Sequence, residues 1–283
     1  MPHGHVPCNL GVRGEVGSMT GEPNYGPKLS ALVVAHNEED DLETCLRHLH
    51  FVDEIVVLLD RCTDGSKAIA EKFAHKIIEG AWEFEGERRN TGIDACTGPW
   101  IIDADADEWI SDSLAAEIRA TIENTPYDIF DIPVRNYIGG HYVAHGWGGG
   151  SFGKVSYLGL YKTFAKRYGM GRHHAHVEER GIRGPDLKQP LDHYVDKSLS
   201  HTLRRLDRYT DYRAKDLVDQ GEIGHLGTYA RKFLSRFYKV YVRRKAYKEG
   251  GYGFIIALCS ALYPLVSHIK AANEVGPARK KSH

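Results

Sequence analysis

From Leu29 to about Thr125 the chain alternates short apolar runs with amphipathic stretches, and no other feature constrains its fold as much. Leu29–Ala35 (LSALVVA), 54–59 (EIVVLL) and 100–104 (WIIDA) are rich in β-branched residues and lack strict alternation, as strands buried on both faces do. Between them, 40–50 places Leu42, Cys45, Leu46 and Leu49 at helical spacing, with acids in the first turn. The run Asp60-Arg-Cys-Thr-Asp-Gly-Ser reads as a turn and leads into a helix ending near Phe73. A short strand around 76–78 and a helix over about 85–96 follow, and Gly98-Pro99 breaks that helix. Ser111 is positioned to cap a helix reaching about Asn124. Strands that alternate with helices in this way form a parallel sheet covered by helices.

Beyond this region the rhythm changes. Residues 127–137 read as extended, and 139–153 contain seven glycines, which predicts a mobile flap rather than packed structure. Residues 154–195 read as mixed strand and turn, and from His201 onward the pattern is helical and basic. Residues 1–28 lack an apolar run and read as a flexible leader rather than a signal peptide, with Met19 a possible natural start.

The net charge of −1 conceals a division. Residues 29–130 carry 8 Lys and Arg against 23 Asp and Glu, whereas 197–270 carry 15 against 6. The acidic half argues against nucleic acid as a partner, and the basic half suits an anionic surface. Five scattered cysteines (Cys8, Cys45, Cys62, Cys96, Cys259) form no paired motif, which fits a reduced, cytoplasmic compartment with no disulfide framework.

The chemistry concentrates at Asp103-Ala104-Asp105-Ala106-Asp107-Glu108, at the end of the strand 100–104. Carboxylates crowded on a strand end repel one another, and a cation relieves that. Mg²⁺ or Mn²⁺ held by one or two of them would draw its other ligands from diphosphate oxygens and neutralise a nucleoside diphosphate leaving group. The competing reading is an acidic loop ahead of a helix that Ser111 and Asp112 cap without metal. In open α/β sheets, however, the carboxyl ends of strands are where ligands bind. The same rim collects Ala35-His36-Asn37-Glu38-Glu39, then Asp60, and then Glu87-Arg88-Arg89-Asn90. Asp60 could accept hydrogen bonds from a base or ribose, and Arg89 could pair with a diphosphate.

The stretch VVAHNEED…IVVLLDRCTDGS…GERRNTGIDACTGPWIIDADADEWIS resembles glycosyltransferase family 2 of the GT-A fold, in particular the lipopolysaccharide-core glucosyltransferase group. The resemblance runs from about Leu29 to Asn273 and implies an α/β catalytic domain over 29–200 with a helical extension over 201–283. It also implies inverting transfer of a hexose, with UDP-glucose or another UDP-hexose as donor and a lipopolysaccharide-core or related surface glycan as acceptor. The nucleotide sugar would lie against Ala35, Asn37, Glu38, Asp60, Arg89 and Asp105. The family's Asp-Ala-Asp-Glu run aligns with Asp105-Ala106-Asp107-Glu108, so Asp105 and Asp107 become the metal ligands, Asp107 foremost. Asp103 stands where the family has an apolar residue.

Inverting transfer is a single displacement and needs a carboxylate to take the acceptor proton. Arg172-His-His-Ala-His-Val-Glu-Glu is the one later segment where acids meet a His cluster, which makes Glu178 or Glu179 the base. Glu178 is the first choice, because on a strand it would share a face with His174 and His176. Zinc held by these alternating histidines is the rival reading. His141, His145 and Trp147 are candidates for lining an acceptor site.

Near the C-terminus, aromatics mix with Arg and Lys before an apolar stretch, 254–266, of 13 residues with Pro264 near its end. That length is short for a membrane span. It suits either peripheral contact with the inner face of an anionic membrane or a helix packed on the catalytic domain. Two further function classes are a non-catalytic nucleotide- or membrane-binding scaffold and a sugar nucleotidyltransferase. The latter needs a glycine-rich basic loop after the first strand, and His-Asn-Glu-Glu-Asp-Asp is its opposite.

Overall fold

A computed structural model describes residues 28–148, 153–170 and 176–275. Strand β1 (Leu29–Ala35) has no exposed side chain, which marks the middle of the sheet. In chain order follow α1 (Leu42–Arg47), β2 (Glu54–Asp60), α2 (Ser66–Phe73), β3 (Lys76–Gly80), α3 (Glu85–Ala95) and β4 (Trp100–Asp105). The four strands pair in parallel in the order β3-β2-β1-β4. Alternate residues supply two cores. Ala31, Val33, Ala35, Val57 and Ile102 pack with α1, and Leu32, Leu58 and Ile101 pack with Ile93 of α3. Each fully buried Leu or Ile among them contributes about 1.5–3 kcal/mol. Helix α3 approaches so closely that a Cβ on Gly92 would press on the Leu32 side chain.

After β4 come β5 (Glu108–Trp109), α4 (Asp112–Glu123), β6 (Ile129–Ile138), β7 (His141–Val143) and β8 (Ser156–Lys162). The hairpin of β9 (Lys166–Tyr168) and β10 (Val177–Glu179) follows, then β11 (Leu191–Asp196). Ser111 caps α4, its hydroxyl accepting from the Leu114 N–H at 3.3 Å. The sheet continues from β4 as β8-β6-β11-β5, with β8 antiparallel to β4 and β7 beside β6. Only Ala106 and Asp107 separate β4 from β5, yet β5 forms the far edge of the sheet. The sheet therefore curls until that edge faces the carboxyl end of β4. This curl closes the site.

The glycine-rich stretch is more ordered than its composition predicts. Within it β7 pairs with β6, and Trp147 is buried, donating its indole N–H to the Val143 carbonyl at 2.5 Å. Packing against the C-terminal helices overrides the glycine content there. Residues 149–152 lie outside the described residues, as do Cys8 and the leader.

Among the described residues three longer helices follow: α5 (Leu199–Asp219), α6 (Leu226–Tyr238) and α7 (Gly250–Lys270). Helix α7 packs through Cys259 against Leu206 of α5, and His268 stacks on Tyr229 of α6 at 4.4 Å. Asp196, at the end of the sheet, accepts hydrogen bonds from Thr202 at 2.7 Å and Arg205 at 2.8 Å, fastening α5 to β11. The apolar segment is longer than the 13 residues legible in sequence. Helical structure runs continuously over Ala246–Val275, long and apolar enough to cross a membrane by length and composition, and nearly half of its most apolar window is buried inside the protein. One such helix is equally what a core helix looks like.

Candidate active site

The rim begins with two cross-braced turns. Asn37 and Arg61, just past β1 and β2, both adopt left-handed backbone (φ 56° and 52°). Asn37 Oδ1 accepts from the Thr63 N–H at 2.8 Å, and Glu39 accepts from the Gly65 N–H at 2.7 Å. His36 Nδ1 donates to the Asp60 carbonyl at 2.5 Å. Asp60 is buried, and its carboxylate accepts from Arg61 Nε at 3.0 Å, Arg88 Nη1 at 2.9 Å and the Trp82 N–H at 3.3 Å. Burial opposes ionisation of Asp60, but these donors, Arg61 foremost, hold it below the usual aspartate range.

Arg89, on α3, donates to Asp103 at 2.9 Å and to Asp105 at 2.7 Å and is almost wholly enclosed. Its fork is thus engaged by the two alternate carboxylates of β4. Asp103 also accepts from Lys166 at 2.8 Å and from the Tyr168 hydroxyl at 3.1 Å. Both Asp103 and Asp105 are held below the usual range: burial pushes up, and Lys166 and Arg89, or Arg89 and Lys154, outweigh it. Asp103 is therefore spent within the protein. Glu108 pairs with Lys154 and accepts from the Asp105 N–H at 3.0 Å, and burial raises its carboxyl.

Asp107 is different. It stands in the turn after β4, about a third exposed, and among the described residues it pairs with His193 of β11, whose Nε2 lies 3.5 Å from its carboxylate. His193 Nδ1 lies 3.0 Å from Asn136 Oδ1, which fixes the ring. Glu38 is close enough to feel the Asp107 charge. Burial first, then Asp107, Asp41 and Asp105, push its carboxyl up to about 7. Glu38, Asp105 and Asp107 are thus near enough for their charges to oppose one another. Among the described residues no three His, Cys, Asp or Glu side chains form a ready metal cage. The donors present fit a hard cation that takes one or two carboxylates and completes its shell elsewhere.

A cleft of about 350 Å³ opens beside these groups, with Arg89, Asp105, Lys154, Tyr157 and Glu179 among its lining. In the β9–β10 hairpin Glu179 pairs with Lys166 and Glu178 with Arg167, so the two acids point to opposite faces. Glu179 lines the cleft and forms an ion pair with Arg183. Glu178 lies outside it, exposed beside Arg180 at 3.4 Å. His173 and His174 lie outside the described residues. A Cβ on Gly86 would overlap the Gly169 carbonyl oxygen, so only glycine lets α3 support this hairpin.

His141, His145 and Trp147 do not line this cleft. His141 stacks on Tyr252 at 4.7 Å, and His145 Nδ1 lies 2.5 Å from Glu249, so both serve the junction with α7. Sequence reasoning missed Lys154, Lys166 and His193. The alternation in Leu-Asp-His-Tyr-Val-Asp could have marked His193 as a strand residue, but nothing local points the two lysines at β4.

Residues 30–183, more than half of the chain, match the sequence profile of glycosyl transferase family 2. The chain belongs to that family. This family 2 protein is therefore a glycosyltransferase, and its curled mixed sheet is the GT-A fold. It is 25% identical over 248 residues to an uncharacterized glycosyltransferase of Rickettsia felis, covering 83% of this chain and 86% of the relative. It is 22% identical over 251 residues to the lipopolysaccharide core biosynthesis glycosyltransferase LpsC of Rhizobium meliloti, covering 86% and 91%. Among solved structures, a mannosyltransferase of Pyrobaculum calidifontis in complex with GDP-Man and Mn²⁺ superposes with a TM-score of 0.48 and 15% identity, covering 89% of each chain.

Proposed function

We propose that this enzyme moves a hexose, glucose from UDP-glucose, onto a hydroxyl of a lipopolysaccharide-core or related surface glycan, with inversion. The observation that carries the reading is the convergence of Glu38, Asp105 and Asp107 beside a cleft that also holds Glu179. The relationship to LpsC supports the acceptor class. In this reading the catalytic part spans 29–200, the helical extension spans 201–283, and the acceptor's lipid places the enzyme on the inner face of the membrane.

The turn Ala35–Glu38 and Asp60 receive the nucleoside, and Arg89 keeps Asp105 ionised and aimed at the diphosphate. Asp107 and Asp105 would hold Mg²⁺ or Mn²⁺, and His193 stands beside Asp107 to orient its carboxylate. Bound there, the cation would supply charge neutralisation for the departing diphosphate. The curled sheet edge excludes water from one side of the sugar. Glu179 takes the proton from the acceptor hydroxyl as its oxygen attacks the anomeric carbon. Glu178, on the opposite face of the strand, is the alternative base.

Calorimetry with a panel of nucleotide sugars, with and without Mn²⁺, tests this directly. Binding of UDP-glucose that strengthens with metal is the expected result. Tighter binding of another sugar nucleotide would reassign the donor. Equal binding in EDTA would overturn the metal assignment.

A further inference from the structure

Residues 223–248, covering α6 and the turns after it, carry eight Lys and Arg and no Asp or Glu. Among the described residues none of Arg231, Lys232, Arg236, Lys239, Arg243, Arg244, Lys245 and Lys248 is joined to a carboxylate. Elsewhere the protein pairs its cations freely, as Lys270 does with Asp207 at 2.7 Å and Asp211 at 2.6 Å. Burial, and beside it the Arg236 charge, holds Arg244 below the usual arginine range. So dense an uncompensated charge repels itself and favours an anionic partner.

Apolar side chains stand among these cations. Leu226, Ala230, Leu234, Tyr238 and Val242 recur every fourth residue, and each is exposed. Leu234 is 69% exposed, Tyr238 58% and Val242 43%. Spacing of four advances about 40° round a helix per step, so the series winds as a stripe along one side. The inner side of α6 is separately satisfied by Tyr229 against His268. At its C-terminal end the stripe meets an aromatic surface. Phe254, 45% exposed, lies 6.0 Å from Phe237 and 6.1 Å from Tyr241.

We infer that this outer face of α6 docks on an anionic lipid bilayer. The apolar stripe would enter the headgroup boundary while Arg231, Lys239 and Arg243 meet lipid phosphates. A nucleic acid would satisfy the cations equally well, but a phosphodiester backbone offers nothing to Leu234 or Val242. The cations likewise oppose a second copy of the same face, because like charges would be brought together. The inference is independent of which sugar is transferred.

The test is flotation of the full-length protein with vesicles of phosphatidylcholine alone or with added phosphatidylglycerol. Flotation with the anionic vesicles only, weakening as salt is raised, is expected. Leu234→Glu with Tyr238→Glu should lower the partition coefficient at least about tenfold, and so should Lys239→Glu with Arg243→Glu. Both pairs should leave circular dichroism, melting and nucleotide-sugar binding unchanged. Alkaline carbonate should release the protein, whereas resistance to it would favour a membrane span by α7 and overturn peripheral docking. No flotation, flotation unaffected by either pair, or equal flotation with neutral vesicles would also sink the proposal. So would light scattering in which the apolar pair turns a dimer into a monomer, or RNA binding tighter than vesicle binding.

Discussion

Lys166 Nζ lies 2.8 Å from Asp103 Oδ2, and each side chain is only 3% exposed. Sixty-three residues apart in sequence, they form a buried ion pair under the acidic rim, shared with Arg89. Such a pair costs desolvation on both sides, and removing one partner strands the other. Asp103→Asn should therefore destabilise the protein by about 3 kcal/mol, and Lys166→Met by a similar amount. The double variant should lose markedly less than the sum of the two. Urea unfolding of the four proteins in the cycle checks this, and additive losses would mean that the pair is not coupled.

Asp107 bears no such structural duty. Its partner His193 is 3.5 Å away, and the carboxylate is about a third exposed. Asp107→Asn should leave the unfolding midpoint within about 0.5 kcal/mol of wild type. If Asp107 holds the cation, kcat/KM should drop about 100-fold or more, and excess Mn²⁺ should partly restore it. A variant with full turnover at low Mn²⁺ would remove Asp107 from the metal site.

The two adjacent acids of β10 can be told apart by their faces. Glu179→Gln should lower kcat by about 10²–10⁴-fold while donor binding persists, the pattern of a lost general base. Glu178→Gln should retain most activity, because this side chain is exposed on the opposite face. The reverse result would return the base to Glu178. Retained transfer in the double variant would exclude both.

Much of this arrangement was legible in the chain itself. Buried strands announce themselves by continuous apolar runs, as in Leu29–Ala35, and a helix start by its cap, as at Ser111. Acids at the ends of those strands must then share one rim. The curl of the sheet was not legible, because it follows from the long-range pairing of β11 with β6 and β5. His193 reaches Asp107 only through that curl. The facing of Glu178 and Glu179 was equally hidden. It depends on the register of a three-residue hairpin strand, where a shift of one residue exchanges the two faces. The glycine-rich loop misled for a related reason: Trp147 and β7 are ordered by distant helices rather than by local propensity.

Glu38 offers a measurement on the protein without substrate. Burial, with Asp107, Asp41 and Asp105 nearby, raises its carboxyl from 4.5 to about 7 in the folded state. A raised folded-state value means that the group's contribution to stability is intact below about 4.5 and is lost as pH rises through about 7. Glu38→Gln removes that titration. Relative to wild type, the variant should gain stability between these limits and keep the gain above them. After allowance for solvent screening the gain should be about 1–2 kcal/mol at pH 8. Melting temperatures of the two proteins at pH 5 and pH 8, in EDTA, measure it. A difference that stays constant with pH would mean that Glu38 ionises normally and that the carboxylates do not crowd one another.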